Sequence, residues 1–185
     1  MKKYKTILAD PPWLEVGGGK IHRGADRHYP LMKTEDIKWL NVESVADKDC
    51  HLYLWTTNNF LEDALEVMRH WGFRYITNIV WCKDRFGLGY YFRGQHELLL
   101  FGVRGNLKPK HKDFSEPNRW SGTKQLPTTP TTVIHAKRQG HSQKPKEFYQ
   151  LIETVSHEPY LELFCREKRE NWDSWGNQIE SDIKL

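Results

Sequence analysis

Short apolar runs alternate with amphipathic segments along the chain. Largely apolar runs predict buried strands at residues 6–9, 52–55, 75–81, 97–103 and 160–164. Between them, apolar residues at helical spacing predict a helix over 60–71, which Gly72 ends, and a second from Pro145 to Val155. Strands that alternate with helices favour an α/β fold with a largely parallel sheet.

In such a sheet, ligands bind at the carboxyl ends of the strands. Asp10 follows the first strand and Arg166 follows the last, so both satisfy this rule, whereas Glu97 stands at the start of its run. Residues 104–132 are rich in Lys, Pro, Thr and Gly without periodicity, which predicts one long loop. Residues 104–124 carry six Lys or Arg against two Asp or Glu, and we expect this loop to contact phosphates.

The composition adds few constraints. A length of 185 residues predicts a single domain over 1–185, and the net charge of +4 with a pI near 8.9 is compatible with a polyanionic partner. Cys50, Cys82 and Cys165 have no CxxC spacing, which argues against a structural zinc site and indicates a reducing interior. The apolar run after the basic start is too short for a signal peptide or membrane span, so a cytoplasmic protein is expected.

Asp10-Pro11-Pro12-Trp13 is the most informative tetrapeptide. An adenine amine is a weak nucleophile, and a carboxylate and a backbone carbonyl can accept its two hydrogens and orient its lone pair. Asp10 supplies the carboxylate and Pro11 a carbonyl held by restricted φ angles, while Trp13 supplies a flat face for a base extruded from its stack. The simpler alternative is a rigid turn that ends a strand and packs a tryptophan.

With this motif after an apolar strand, the sequence resembles the MT-A70 family of S-adenosylmethionine-dependent adenine N6 methyltransferases. Further segments match in order and spacing over nearly the whole chain: His28-Tyr29-Pro30, Leu54-Trp55-Thr56, Trp71-Gly72-Phe73, Trp81-Cys82-Lys83, Gly102-Val103-Arg104-Gly105-Asn106, Lys144-Pro145, Glu162-Leu163-Phe164 and Trp175-Gly176-Asn177-Gln178. The resemblance implies a Rossmann-like methyltransferase fold.

The resemblance also implies site residues. Asp10, Pro11, Pro12 and Trp13 would hold the target amine, and Trp13, Tyr29, Glu97, His141 and Ser142 would line the target-nucleotide pocket. Cofactor contacts would come from Asp10, Lys144, Arg166, Lys168, Asn177 and Gln178. The stretch from Arg166 to Trp172 is shorter than in the eukaryotic catalytic subunit, which weakens the match of Lys168.

Each of these residues has an alternative. Lys144 could be a solvated lysine in a first helical turn, Arg166 an ion-pair partner of Glu162 or Glu167, and Asn177 part of a polar turn. Lys144 is nevertheless poorly placed at the positive end of a helix unless it meets an anion.

Two other functions are weighed. The glycines at 17–19 precede Lys20 and Ile21 without the spacing of a nucleotide-binding loop, so a triphosphatase is not expected. A non-catalytic nucleic-acid-binding subunit is a second alternative, against which the intact catalytic motif argues. We expect a nucleic acid partner, DNA in preference to RNA, no metal, and leave a homodimer or heterodimer open.

Overall fold

The computed structural model describes residues 2–14, 30–87, 91–110, 130–138, 140 and 143–185. Within them, seven strands form one sheet: β1 Tyr4–Ala9, β2 Ala46–Thr56, β3 Arg74–Cys82, β4 His96–Arg104, β5 Val133–His135, β6 Tyr160–Leu163 and β7 Trp172–Trp175. The α-helices of these segments are α1 Thr34–Lys38, α2 Leu61–His70 and α3 Lys146–Val155. No helix among them has the length and apolar character that crossing a bilayer requires.

The strands lie in the order β5-β3-β4-β2-β1-β6-β7. The pairs β1–β2, β1–β6, β6–β7 and β3–β5 are parallel, whereas β4 runs antiparallel to both of its neighbours. The sheet of this Rossmann-like fold is therefore largely parallel, as predicted, with β4 reversed. The amino end of β4 consequently lies at the edge where the other strands end.

Alternating residues of the strands feed two hydrophobic clusters. Ile7, Leu52, Leu54 and Leu100 point to the face that α1 and α2 cover, and they pack with Ala64, Val67 and Met68 of α2. Leu8, Tyr53, Trp55 and Leu99 point to the other face, where they pack with Phe148, Tyr149 and Ile152 of α3. Burial of both faces explains why these strands are continuously apolar instead of alternating.

The elements predicted from apolar runs are all present. Their ends differ by one or two residues, except that β2 begins six residues earlier than predicted. Among the α-helices and strands of the described residues, α1, β5 and β7 were not predicted. Each is only three to five residues long. The pattern over so few positions does not distinguish a strand or helix from a loop.

The predicted loop over 104–132 begins where β4 ends. Residues 111–129 of this loop lie outside the described part of the chain. Its first residues are anchored on the carboxyl end of α3. Lys110 donates its backbone N–H to Val155 O at 2.9 Å, and its Nζ donates to Glu153 O at 3.0 Å and Tyr160 Oη at 2.7 Å. Lys110 therefore has a structural role at this edge.

A buried polar network lies near this anchor. His51 Nδ1 is 2.7 Å from Ser156 Oγ, which is 2.7 Å from Tyr53 Oη, and His51 Nε2 is 3.1 Å from Leu107 O. The carbonyl requires a proton on Nε2, so Nδ1 accepts from Ser156. Burial lowers the pKa of His51, which favours this neutral form.

Candidate active site

The carboxyl ends of the strands gather the charged residues that the sequence singled out. Asp10 follows β1, Lys83 follows β3, and Arg166 and Asn177 follow β6 and β7 by a few residues. Glu97 joins them because β4 is reversed and pairs its start with the end of β3, Glu97 opposite Trp81. The rule that ligands bind at carboxyl ends is thus met by the amino end of one antiparallel strand.

The tetrapeptide Asp10-Pro11-Pro12-Trp13 is fixed by backbone hydrogen bonds. Asp10 N donates to Leu163 O at 3.3 Å, which joins it to β6, and Trp13 N donates to Pro11 O at 2.9 Å in a tight turn. Met32 N donates to Pro12 O at 2.8 Å. A carbonyl oxygen has two lone pairs, so Pro11 retains one with which to accept another hydrogen.

Trp13 is more buried than a stacking platform needs to be. It is 8% exposed, its ring stacks on Phe60 with centroids 5.7 Å apart, and its indole N–H donates to Trp55 O at 3.1 Å. The alternative of a packed tryptophan that ends the turn describes this geometry. Contact between Trp13 and a base stays a prediction.

Lys144 joins the two carboxylates that the sequence assigned to the target adenine. Its Nζ donates to both Asp10 oxygens, at 2.8 and 2.7 Å, and lies 3.6 Å from Glu97 Oε2. Lys83 Nζ binds the other Glu97 oxygen at 2.5 Å. The four side chains form a row of alternating charge, Asp10–Lys144–Glu97–Lys83.

Burial favours the neutral form of Glu97, but Lys144 and Lys83 more than offset this, so the pKa of Glu97 lies below its ordinary value. The Lys144 side chain is only 9% exposed. The alternative of a solvated lysine is therefore wrong. Its anion in this structure is Asp10, and a contact with a cofactor carboxylate stays a prediction.

The start of α3 holds Lys144 in place. Pro145 is the N-cap of α3 in an extended conformation, so the chain enters the helix immediately after Lys144. The ammonium lies 5.2 Å from the centroid of the Trp55 ring, and Phe148 of α3 packs edge-on against the same ring at 4.7 Å. Trp55 thus contributes a cation–π contact and the surface on which the helix rests.

A cavity of about 210 Å³ opens beside Asp10. Its walls are Asp10, Pro12, Pro30, Met32, Phe164, Arg166, Trp175, Gly176 and Asn177. Residues from both ends of the sequence therefore line one cavity: Asp10 and Pro12 from the predicted catalytic motif, and Arg166 and Asn177 from the segments predicted to bind the cofactor.

Two backbone features shape this cavity. Phe164, which follows β6, has a positive φ of 63°, and its ring meets Trp175 edge-on at 5.4 Å. Gly176 is packed against the backbone of Cys165, where any Cβ would overlap the carbonyl oxygen, and Cys165 N donates to Trp175 O at 2.9 Å. Arg166 and Asn177 are each the next residue after this backbone contact.

The carboxylate of Glu162, on β6, is buried. Tyr149 Oη donates to its Oε1 at 2.8 Å, while its Oε2 is 4.0 Å from Arg169 Nε without a hydrogen bond. Burial raises the pKa of Glu162, and the nearby charge of Asp10 adds to the increase. This proximity of Arg169 to Glu162 was not predicted from the sequence.

Other predicted residues lie elsewhere. Lys168 Nζ binds Asp182 Oδ1 at 2.7 Å, Gln178 is exposed, and neither lines the cavity. Tyr29, His141 and Ser142 lie outside the described residues, as do the glycines at 17–19. In the segments that are described, no group of three or more His, Cys, Asp or Glu could hold a metal ion.

Sequence reasoning assigned no role to Lys83 or Trp55. Both stood in segments quoted for the family resemblance, Trp81-Cys82-Lys83 and Leu54-Trp55-Thr56. Their position, each at the end of an apolar strand, was the available signal, because such positions meet at one edge of a parallel sheet.

Comparison with known proteins gives consistent matches. The family model described as MT-A70 matches residues 4–178. The type II methyltransferase M.MunI of Mycoplasma sp is 29% identical, over 96% of this chain and 78% of that protein. An Arabidopsis thaliana protein named N(6)-adenosine-methyltransferase MT-A70-like is 29% identical over 95% of this chain, and the human N(6)-adenosine-methyltransferase catalytic subunit METTL3 is 28% identical over 96%. The chain spans about a quarter of these two eukaryotic relatives, 24% and 28% of their lengths.

Proposed function

Since this chain belongs to the MT-A70 family, we propose that it transfers a methyl group from S-adenosylmethionine to the N6 amine of adenine in a nucleic acid. The observation that carries the proposal is the position of Asp10. Its carboxylate follows β1, lines the cavity and is joined through Lys144 to Glu97.

Asp10 and Pro11 supply the acceptors that the amine needs. A carboxylate oxygen of Asp10 accepts one amine hydrogen and the free lone pair of Pro11 O accepts the other. This arrangement turns the nitrogen lone pair toward the cavity. Because the turn at Pro11 and the ion pair with Lys144 already hold both acceptors, little reorganisation is needed when the adenine binds.

The cavity residues fit the cofactor. S-adenosylmethionine supplies an electrophilic methyl group on a sulfonium, together with a carboxylate, an ammonium and ribose hydroxyls. Asp10 offers an acceptor for the ammonium and Lys144 a cation for the carboxylate, while Arg166 and Asn177 offer hydrogen-bond groups for the hydroxyls. Met32, Phe164 and Trp175 supply apolar walls.

We propose DNA as the substrate. The type II methyltransferase M.MunI is matched over 78% of its own length, whereas the two eukaryotic N(6)-adenosine-methyltransferases are matched over 24% and 28% of theirs. RNA is the second candidate, because the names of the two eukaryotic relatives specify adenosine, which is the ribonucleoside. The three free cysteines fit the reducing cytoplasm that we propose as the location.

The test is transfer of a labelled methyl group from S-adenosylmethionine to matched DNA and RNA oligonucleotides, followed by identification of the modified nucleoside. We expect N6-methyladenine in DNA at a higher rate than in RNA. Faster transfer to RNA would reverse the substrate assignment. If folded protein labels neither polymer, the chain is a non-catalytic subunit and the proposal is wrong. Sedimentation of the same sample gives its oligomeric state.

A further inference from the structure

Three aromatic side chains are exposed among the described residues that connect β3 and β4. Phe86 is 65% exposed, Tyr91 87% and Phe92 88%. We call these described residues, 83–87 and 91–95, the aromatic arm. Rings of this size are normally buried, because leaving them in water forgoes their hydrophobic stabilisation. Three on this arm indicate a surface that another molecule covers.

The aromatic arm is an ordered extension of the sheet. Lys83 N donates to Gln95 O at 2.8 Å and Gly87 N to Gly94 O at 2.6 Å, so the segment after β3 stays hydrogen-bonded to the segment before β4. Asp84 Oδ1 accepts from Arg138 N at 3.0 Å, which attaches the arm to the segment after β5. The exposed rings thus project from a fixed base.

That base is part of the active site. Lys83, the first residue of the arm, binds Glu97, and Glu97 lies beside Lys144 and Asp10. The four residues that follow Lys83 reach about 13 Å at the rise of an extended chain. Successive bases in a strand are about 3.4 Å apart, so this reach corresponds to a few nucleotides from the target.

The charges around the rings favour a nucleic acid over a protein surface. Arg85 and Arg93 are exposed on the arm, and Lys137 and Arg138 are exposed on the adjoining segment. Aromatic rings interspersed with cations are the combination that binds unpaired nucleotides, with rings against bases and cations against phosphates.

We propose that Phe86, Tyr91 and Phe92 stack on the bases that flank the target adenine. The inference rests on the proposed function, because it needs a nucleic acid with its target base in the site. Stacking is tolerant of sequence, since every base has a flat face. The aromatic arm therefore contributes affinity and holds the strand beside the pocket without selecting a recognition sequence.

The experiment measures binding of fluorescein-labelled single-stranded DNA with one central adenine. We expect the triple variant Phe86→Ala, Tyr91→Ala, Phe92→Ala to lose about tenfold in affinity for each ring that meets a base. Its affinity for S-adenosylmethionine should equal the wild-type value. The matched control is Trp39→Ala, which removes a ring that is 70% exposed and packs on His70, away from the active site. We expect this control to bind DNA like the wild type.

Two further binding experiments test base stacking specifically. On an oligonucleotide with abasic sites on both sides of the adenine, the wild type and the triple variant should bind equally, since the phosphates remain and the bases do not. Replacing all three rings with leucine should be as harmful as alanine. Recovery with leucine would mean ordinary apolar contact and would overturn the proposal.

The remaining outcomes are also decisive. Wild-type affinity in the alanine variant overturns stacking by the aromatic arm but leaves the proposed function intact if the wild type methylates the oligonucleotide. If sedimentation shows that the alanine substitutions dissociate an oligomer, the rings are a subunit interface and the proposal is wrong. If the wild type neither binds nor methylates any oligonucleotide, the proposed function itself fails.

Discussion

Lys144 binds both oxygens of the Asp10 carboxylate, so the residue before α3 neutralises the charge that follows β1. The two residues are 134 positions apart in the sequence. Through this contact the segment expected to hold the cofactor and the segment expected to hold the target amine share one hydrogen-bonded pair. Substitution of either residue should therefore be tested on both methyl transfer and cofactor binding.

Asp10→Asn should impair methyl transfer more than folding. The amide keeps one acceptor oxygen but loses the charge and presents a donor to the incoming amine. Loss of one such group in a preorganised site costs about 100- to 1,000-fold in kcat. Labelled methyl transfer measures the rate and circular dichroism the fold. A folded Asp10→Asn enzyme with wild-type turnover would show that Asp10 does not act on the amine.

Lys144→Ala and Asn177→Ala should weaken cofactor binding. Asn177 lines the cavity and Lys144 binds Asp10 at the cavity wall, and the loss of such a hydrogen-bonding group costs about 1–3 kcal/mol when the partner is charged or buried. Calorimetric titration of S-adenosylmethionine without nucleic acid measures it. Lys146→Ala is the control, because Lys146 is the next lysine and is exposed in the first turn of α3. Unchanged affinity in both variants would contradict the cofactor assignment.

Lys83→Met should change the pH dependence of the reaction. Burial raises the pKa of Glu97, but Lys144 and Lys83 lower it by more. Removing Lys83 should therefore move the pKa of Glu97 upward. The acid limb of the kcat/KM profile should shift to higher pH if Glu97 must be ionised to accept a hydrogen bond from the adenine. The exposed Lys48→Met serves as control. A profile that does not move would assign Lys83 a purely structural role.

His51 predicts how stability depends on pH. Burial lowers the pKa of His51 in the folded protein, whereas the same imidazole in the unfolded chain has a pKa of about 6.5. The unfolded state therefore binds a proton first, and the stability that neutral His51 contributes is present above about pH 6.5 and lost as the pH falls toward the lowered folded pKa.

The slope for this one proton is at most about 1.4 kcal/mol per pH unit. Urea unfolding between these pH values should show a flatter dependence for His51→Gln than for the wild type. The exposed His135→Gln should keep the wild-type slope. Equal slopes in all three proteins would mean that His51 is not the group responsible.

Substitutions of Lys110 and of its neighbouring lysines should distinguish a structural role from a phosphate-binding role. Lys110→Gln should lower the free energy of unfolding by about 1 kcal/mol, because its Nζ holds Glu153 O and Tyr160 Oη. The double variant Lys108→Gln, Lys112→Gln should instead flatten the dependence of log affinity on log salt, by about 0.7–0.9 for each lost phosphate contact. A wild-type salt slope in the double variant would mean that the loop does not contact the phosphates of the nucleic acid.

The sequence predicted the long elements because both faces of the sheet are buried. Runs such as 52–55 and 98–101 are apolar at every position and stand out from their surroundings. The direction of β4 could not be predicted, since parallel and antiparallel neighbours leave the same apolar pattern when a strand is buried. The position of Glu97 at the active edge depends on that direction.

The candidate site was predictable as a set of residues but not as a set of contacts. The motif around Asp10 and the segments at Arg166 and Asn177 were identified and do share one cavity. The pairing of Lys144 with Asp10 was not identified, because it depends on how α3 packs on Trp55. Ion pairs between distant segments follow from tertiary packing and have no local pattern.

The contact between Cys165 and Gly176, together with the pairing of β6 with β7, fixes both ends of residues 166–171, the loop that precedes β7. The free energy of closing such a loop changes only slowly with its length, by about 0.6 kcal/mol for each doubling. Residues can therefore be inserted or deleted within the loop while Arg166 and Asn177 keep their separation across the cavity. Length in this stretch is free to vary between related proteins, whereas a side chain at position 176 is not tolerated.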